Sequence, residues 1–178
     1  TEYIDGQHSD RLQRLLEWVE ESKAEDLTGF IGGPPCPDFS VAGKNRGRDG
    51  ENGKLSGTYA QLICTALPDF FLFENVKGLY RTARHRAFFE ELKLKFRKSG
   101  YSLTEQLVNS LEFGAPQDRD RIILIGFRQD IAERLSINTE NGSLIGFPWD
   151  KYKIYKLDEI KGTKWPDKSP YNEGVETD

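Results

Sequence analysis

Three short groups of reactive side chains occur along this chain of 178 residues. The first is Cys36, which follows two prolines and a short apolar run that ends at Ile31. The second is the pair Glu74-Asn75, and the third is the charged segment 117–121, which contains two arginines. A thiol can act as a nucleophile, a carboxyl group can hold or donate a proton, and a guanidinium can bind carbonyl or phosphate oxygens. These are the residue types that covalent catalysis on a polar substrate requires.

The two prolines restrict the loop that carries Cys36. A proline fixes its own φ angle and biases the preceding residue toward extended conformations. The thiol is therefore expected on a stiff loop at the carboxyl end of a strand, where open α/β sheets bind their ligands. Taken alone, such a cysteine is equally compatible with a nucleophile and with a loop thiol that has no function. The second cysteine, Cys64, lies in an apolar helical run and is interpreted as a small buried residue.

The other two groups also admit structural interpretations. Glu74 closes the aromatic run Phe70–Phe73, where we expect strong desolvation, and burial favours the neutral form of a carboxyl group. The alternative is a carboxylate that caps a helix or forms a salt bridge. Arg119 and Arg121 are two residues apart, so on an extended segment their side chains face the same side. Their alternative is a surface pair bonded to the neighbouring aspartates.

Alternating helical and strand patterns predict an α/β sheet that positions these groups. One predicted helix starts at Ser9 or Asp10. Two further predicted helices cover Tyr59–Leu67 and His85–Lys98. The predicted strands are Leu27–Ile31, Asp69–Phe73, Tyr101–Asn109 and Arg121–Phe127. Val41–Gly57 is rich in glycine and charge and is predicted as a long exposed loop. After about Ile131 the periodicity fades.

Composition limits the class of protein. Hydrophobic residues make up 37% and charged residues 30% of the chain, which is typical of one soluble globular domain. No apolar run approaches the roughly 20 residues of a membrane helix. Two cysteines do not form a disulfide framework, which favours a reducing, cytoplasmic setting. The net charge of −4 argues against nonspecific coating of nucleic acid but leaves room for a local basic groove.

The order of the three groups resembles the DNA (cytosine-5)-methyltransferase family. Pro-Pro-Cys, Glu-Asn-Val and Gln-x-Arg-x-Arg follow one another between Gly29 and Arg128, with suitable strands and helices between them. The resemblance implies an α/β fold, part of a Rossmann-like S-adenosylmethionine-dependent methyltransferase sheet with helices on both faces. It implies a partial catalytic domain over residues 1–130. Residues 131–178 would begin a target-recognition region or form a mobile tail.

The resemblance also implies a reaction, the transfer of a methyl group from S-adenosylmethionine to carbon 5 of a cytosine flipped out of duplex DNA. Cys36 would add to carbon 6 of the base, and Glu74 would donate to ring nitrogen 3. Asn75 would organise the loop that holds these two residues, and Arg121 would contact the base carbonyl with the help of Arg119. The implied substrate-binding residues are Pro35, Ser40 and Gln117, with Ser40 at a phosphate. The basic segment 43–48 would close over the flipped base.

Parts of the family pattern are not recognisable here. The usual glutamine after the cysteine is replaced by Pro37. The glycine-rich cofactor loop expected upstream of the first motif is not found between Thr1 and Gly29. The chain also starts with a threonine and contains no methionine. We therefore expect an internal piece of a larger enzyme, inactive alone, whose cofactor site is completed by a missing N-terminal part or a second chain.

Two other functions remain open at this point. The same motifs would serve an RNA cytosine-5 methyltransferase, and a methyltransferase-like subunit could bind DNA without catalysis. A bacterial or phage enzyme of a restriction-modification system, acting in the cytoplasm, is favoured over a nuclear enzyme. No metal is expected in the site.

Overall fold

The fold is an α/β sheet, as the alternating pattern predicts. A computed structural model describes residues 9–34, 51–81 and 83–160. Its helices are α1 (Ser9–Glu25), α2 (Glu51–Ala66), α3 (Gly78–Arg81), α4 (Ala83–Lys98), α5 (Gln129–Arg134) and α6 (Leu157–Ile160). Its strands are β1 (Gly29–Gly32), β2 (Phe70–Val76), β3 (Tyr101–Asn109), β4 (Asp120–Arg128), β5 (Thr139–Glu140) and β6 (Ser143–Leu144). A single 3₁₀ turn, Ser110–Phe113, follows β3.

The strands form one mixed sheet in the order β1-β2-β4-β3-β6-β5. β1 lies parallel to β2, and β4 runs antiparallel between β2 and β3. Because β4 is inserted between β2 and β3, it contacts both neighbours along its whole length. The short β6 extends the sheet beyond β3 with a parallel pairing. Residues 139–144 therefore belong to the same sheet as the predicted catalytic region, and the division at residue 130 stays a prediction.

One face of the sheet, here called the helix face, carries the hydrophobic core. Phe71 and Phe73 project from β2 into this core and are fully buried. The ring of Phe71 lies 4.3 Å from that of Phe96 on α4 and 5.1 Å from that of Tyr101 on β3. Opposite Phe71, a Cβ on Gly126 would lie 2.3 Å from the phenyl ring, so only glycine fits there. The helices α2 and α4 therefore pack against this face of the sheet, largely through aromatic side chains.

The opposite face of the sheet, here called the Glu74 face, is less covered. Alternate residues of β2 point there and are half-buried, as the strict alternation of burial along this strand shows. Phe70 stacks on Phe127 of β4, with the ring centroids 5.7 Å apart. Near β3 the indole Nε1 of Trp149 donates a hydrogen bond of 3.0 Å to Thr104 Oγ1. The segment after β6 thus returns to pack on this face.

Two predicted boundaries are wrong. Val41–Gly57 was expected to be an exposed loop, but α2 begins at Glu51. Glycine costs about 1 kcal/mol in a helix interior without forbidding it, and Ser56 is fully buried in the folded protein. Packing therefore outweighs local propensity. Glu74 and Asn75 lie inside β2 instead of after it, because pairing with β4 extends the strand to Val76.

Among the described residues, no helix combines the length and the apolar character needed to cross a lipid bilayer.

The burial alternation along β2 can be tested with two neighbouring phenylalanines. We expect Phe71→Ala to lower the free energy of unfolding by about 3–5 kcal/mol, because it leaves a cavity among closely packed rings. Phe70→Ala, the same change one residue earlier on the half-buried face, should cost clearly less. Urea unfolding followed by circular dichroism measures both. Equal losses would contradict the assignment of the two faces.

Candidate active site

Glu74 and Arg121 form an ion pair on the Glu74 face. In the antiparallel register Val76 lies opposite Arg121, so the side chains of Glu74 and Arg121 are diagonal neighbours on the same side of the sheet. Arg121 Nε lies 2.7 Å from Glu74 Oε1, and Arg121 Nη1 donates to the backbone oxygen of Asp120 at 2.7 Å. Charge-assisted bonds of this length hold both groups in place. The sequence places these residues 47 positions apart; the sheet brings them into contact.

The burial of Glu74 is weaker than its aromatic flank predicts. Its side chain is 34% exposed and that of Arg121 is 21% exposed. Alternation explains this result, because the buried phenylalanines of the flank point to the helix face while Glu74 points to the opposite one. The carboxylate is thus accessible to a ligand and is balanced by a guanidinium.

The chain that leaves β1 passes directly beside Glu74. β1 ends opposite Phe73 in the parallel register, so the next residue, Gly33, lies alongside Glu74. A Cβ on Gly33 would lie 2.7 Å from Glu74 Oε2. A side chain at this position would collide with the carboxylate, and the bare backbone leaves that oxygen room. Sequence reasoning missed Gly33; its signal is the glycine pair that precedes the two prolines.

Asn75 links the strand to the loop that leads to the cysteine. It is 1% exposed, and its Oδ1 accepts a 2.8 Å hydrogen bond from the amide of Val76. Its Nδ2 donates to the carbonyl oxygen of Pro34 at 3.4 Å. Pro34 stands two residues before Cys36 in the sequence. A buried amide therefore connects the Glu-Asn-Val motif with the first proline of Pro-Pro-Cys.

The remaining predicted residues fall into two groups. Gln117 and Arg119 are exposed and precede β4, and the carbonyl of Arg119 accepts hydrogen bonds from both the amide and the hydroxyl of Ser110. Three predicted site residues, Pro35, Cys36 and Ser40, and the basic segment 43–48 lie outside the described residues. Cys64 is half-buried and packs against the core, in line with its interpretation as a structural residue.

The aspartates of the segment 117–121 have partners at the ends of neighbouring strands. Asp120 forms an ion pair of 2.7 Å with Lys77 and accepts a hydrogen bond from Asn109. Asp118 accepts a second bond from the same asparagine. Arg121 donates to the backbone oxygen of Asp120 and forms an ion pair with Glu74. The sequence analysis missed Lys77 and Asn109.

The described residues give no location for a cofactor or metal. No cluster of three or more histidine, cysteine, aspartate or glutamate side chains suited to a metal ion occurs among them. Upstream of the site, residues 9–32 form α1, a short connection and β1, and not a strand followed by a glycine-rich turn. One cavity of about 400 Å³ lies between α1 and α2, lined by Leu15, Trp18 and Leu62 among others. None of its lining residues belongs to the three motifs of the sequence analysis.

Comparison with known proteins assigns the family. Residues 14–175 match the family described as C-5 cytosine-specific DNA methylase. The chain belongs to this family. The match covers all three motifs of the sequence analysis and confirms the resemblance.

Two curated relatives are type II methyltransferases. The chain is 52% identical over 146 residues to the type II methyltransferase M.NmeDI of Neisseria meningitidis serogroup C, covering 82% of this chain and 33% of that protein. It is 39% identical over 119 residues to the type II methyltransferase M.MthTI of Methanothermobacter thermautotrophicus, covering 67% and 36%. The chain therefore spans about a third of the length of these relatives.

A solved structure shares the fold. The crystal structure of a Spodoptera frugiperda DNMT2 mutant superimposes with a TM-score of 0.50, at 18% identity, over 86% of this chain and 43% of that one. This likeness supports the Rossmann-like sheet predicted for the chain.

The contact between Gly33 and Glu74 gives a testable consequence. We expect Gly33→Ala to displace the carboxylate and weaken its pair with Arg121. A double-mutant cycle of Glu74→Ala and Arg121→Ala, read by urea unfolding, should give a coupling of about 0.5–1 kcal/mol with glycine present. The coupling should approach zero in the Gly33→Ala background.

The matched control is Gly57→Ala in α2, where an added Cβ meets no atom within 4 Å. This variant should leave the coupling between Glu74 and Arg121 unchanged. A coupling that survives Gly33→Ala undiminished would contradict the proposed contact.

Proposed function

We propose that this protein forms the catalytic core of a DNA (cytosine-5)-methyltransferase that transfers a methyl group to carbon 5 of a flipped cytosine. The proposal is supported by contacts of Glu74 and Asn75 with Arg121 of the third motif and with Pro34, the first residue of Pro-Pro-Cys. Glu74 pairs with Arg121 at 2.7 Å, and Asn75 binds the carbonyl of Pro34, two residues before Cys36. The family match across residues 14–175 supports the same reading.

Cys36 acts as the nucleophile in this proposal. Its thiolate adds to carbon 6 of cytosine, a carbon–sulfur bond forms, and the electron pair of the 5,6 double bond moves into the ring. Carbon 5 becomes nucleophilic as a result. S-adenosylmethionine supplies the electrophilic methyl group when bound. A solvent base then takes the proton from carbon 5, its electron pair restores the 5,6 double bond, and the carbon–sulfur bond breaks to release the thiolate of Cys36.

Glu74 and Arg121 assist the addition step. In the substrate complex a proton shared between the Glu74 carboxyl group and ring nitrogen 3 draws electrons from carbon 6 as the thiolate adds, and Arg121 stabilises the carboxylate when that proton lies on the base. Arg121 orients this carboxyl group through its Nε and presents the rest of its guanidinium to the base carbonyl. Arg119 assists at the adjacent backbone, and Gln117 binds the substrate beside it. Gly33 leaves space for the base edge next to Glu74 Oε2.

Asn75 and the loop after Pro34 bring the nucleophile to the base. The buried amide of Asn75 restrains the start of the loop, and the two prolines limit its freedom. Pro35 and Ser40 contact the substrate, Ser40 at a phosphate, and the basic segment 43–48 closes over the flipped base. Flipping is required because the target atom cannot be reached inside a stacked duplex.

The setting of the reaction follows from the relatives. These relatives are named type II methyltransferases, so we infer that duplex DNA is the polymer and that the enzyme belongs to a restriction-modification system acting in the cytoplasm. The family description names DNA, which favours DNA over RNA as substrate and an enzyme over a non-catalytic subunit. The cofactor site is completed by sequence outside residues 9–34, from an N-terminal part or a second chain.

Covalent trapping tests the proposal. In the full-length protein with S-adenosylmethionine, duplex DNA that contains 5-fluorocytosine should form an adduct stable to detergent. Cys36→Ser should abolish the adduct, and Glu74→Gln should slow its formation by about 10²–10⁴-fold, the usual contribution of a general acid. Gel mobility of labelled DNA measures both effects.

Cys64→Ser is the matched control, since this cysteine packs against the core away from Glu74. This variant should form the adduct at the same rate as the protein without a substitution. If Cys36→Ser still formed the adduct, the assignment of the nucleophile would be overturned. If duplex DNA and transfer RNA gave equal amounts of adduct, the assignment of the substrate would be overturned.

A further inference from the structure

Asn109 connects two acidic residues at the entrance to β4. It ends β3 and is 2% exposed. Its Nδ2 donates to Asp118 Oδ1 at 2.7 Å and to Asp120 Oδ1 at 2.9 Å. Its Oδ1 accepts a bond from the amide of Leu111 and thereby caps the 3₁₀ turn. Both functional groups of this buried amide are therefore occupied by charged or backbone partners.

Asp120 extends this contact to a third strand. Its Oδ1 accepts from Asn109 on β3, and its Oδ2 lies 2.7 Å from Nζ of Lys77, directly after β2. One carboxylate on β4 thus joins the ends of β2 and β3. We call Lys77, Asn109, Asp118 and Asp120 the three-strand clamp.

The clamp and the catalytic pair lie on opposite faces of the same strand. Asp120 is paired with Asn109 in the ladder, whereas Arg121 is paired with Val76, on the side of Glu74. Because neighbouring side chains of a strand point to opposite faces, holding Asp120 on one face directs Arg121 to the other. A slip of one residue would reverse this arrangement and remove Arg121 from Glu74.

We propose that Asn109 and Asp120 are positioning residues that set the register of the segment 117–121 and so deliver Arg121 to Glu74. The effect on catalysis rests on the proposed function, whereas the effect on the register of the segment 117–121 does not. The alternation of acidic and basic residues in Gln117–Arg121 then has a physical reason. The aspartates are held by the clamp, and the arginines are left for the substrate side.

The variant Asn109→Asp tests the clamp with almost no change in shape. It keeps the oxygen that caps the turn, removes both donated hydrogen bonds and brings a third carboxylate against Asp118 and Asp120. The double variant N109D/D120N restores an amide–carboxylate pair with the two groups exchanged. Asp130→Asn is the control, because Asp130 binds Arg128 at the far end of β4.

Amide hydrogen exchange reads the register directly and needs no activity. The amide of Ser110 donates to the carbonyl of Arg119, and the amide of Arg128 donates to Asp69 at the other end of β4. N109D should lower protection at Ser110 by about 10- to 100-fold, the size expected for losing hydrogen bonds to charged groups. Protection at Arg128 should change little, and N109D/D120N should restore part of the loss at Ser110, because it re-forms the contact between positions 109 and 120 but loses the ion pair with Lys77.

Trapping with 5-fluorocytosine DNA reads the catalytic consequence in the full-length protein. N109D should slow adduct formation at saturating DNA by about tenfold or more, with DNA affinity nearly unchanged, and the double variant should recover part of the rate. Unchanged protection at Ser110 in N109D, or a double variant no better protected than N109D, would overturn the clamp. An unsubstituted protein that forms no adduct would overturn the proposed function alone, since the exchange result still decides the clamp.

Discussion

The antiparallel pairing of β2 with β4 is the constraint on which the rest of the structure depends. Its register places Arg121 opposite Val76 and so beside Glu74 on one face, while Phe71 meets Gly126 on the other. The same ladder therefore builds the site and the core at once. Any shift that improved packing on one face would break the ion pair on the other, because a one-residue slip exchanges the two faces.

The two faces of the sheet have different tasks. The helix face is closed by aromatic rings, with Phe71 and Phe73 of β2 buried against α2 and α4. Such packing is dense and tolerates little displacement, so it provides a rigid support. The Glu74 face is half-buried and keeps a carboxylate and a guanidinium accessible. A reactive group on a strand that is rigid on its other side keeps its position, which catalysis requires.

Most of the elements could be predicted because their patterns are local. β3 occupies the predicted residues Tyr101–Asn109, and α4 ends at the predicted Lys98 before a glycine. The predicted element boundaries are wrong where tertiary packing outweighs the local secondary-structure propensity of the residues. The glycines near residue 55 indicate a loop, but the segment is helical from Glu51 onward. Pairing with β4 extends β2, so that Glu74 lies within the strand. The two-residue strands β5 and β6 are too short to leave a periodic signal.

The sequence by itself identified the family of this protein. The types and order of Cys36, Glu74, Asn75, Arg119 and Arg121 are enough to indicate the family, because a motif depends on residue identity and not on coordinates. Only the tertiary structure decided which groups touch: that Arg121 pairs with Glu74, that Gly33 lies against the Glu74 carboxylate, and that Asn109 binds Asp118 and Asp120. These contacts join residues far apart in the chain, and their distances are set by sheet register, which no local pattern encodes.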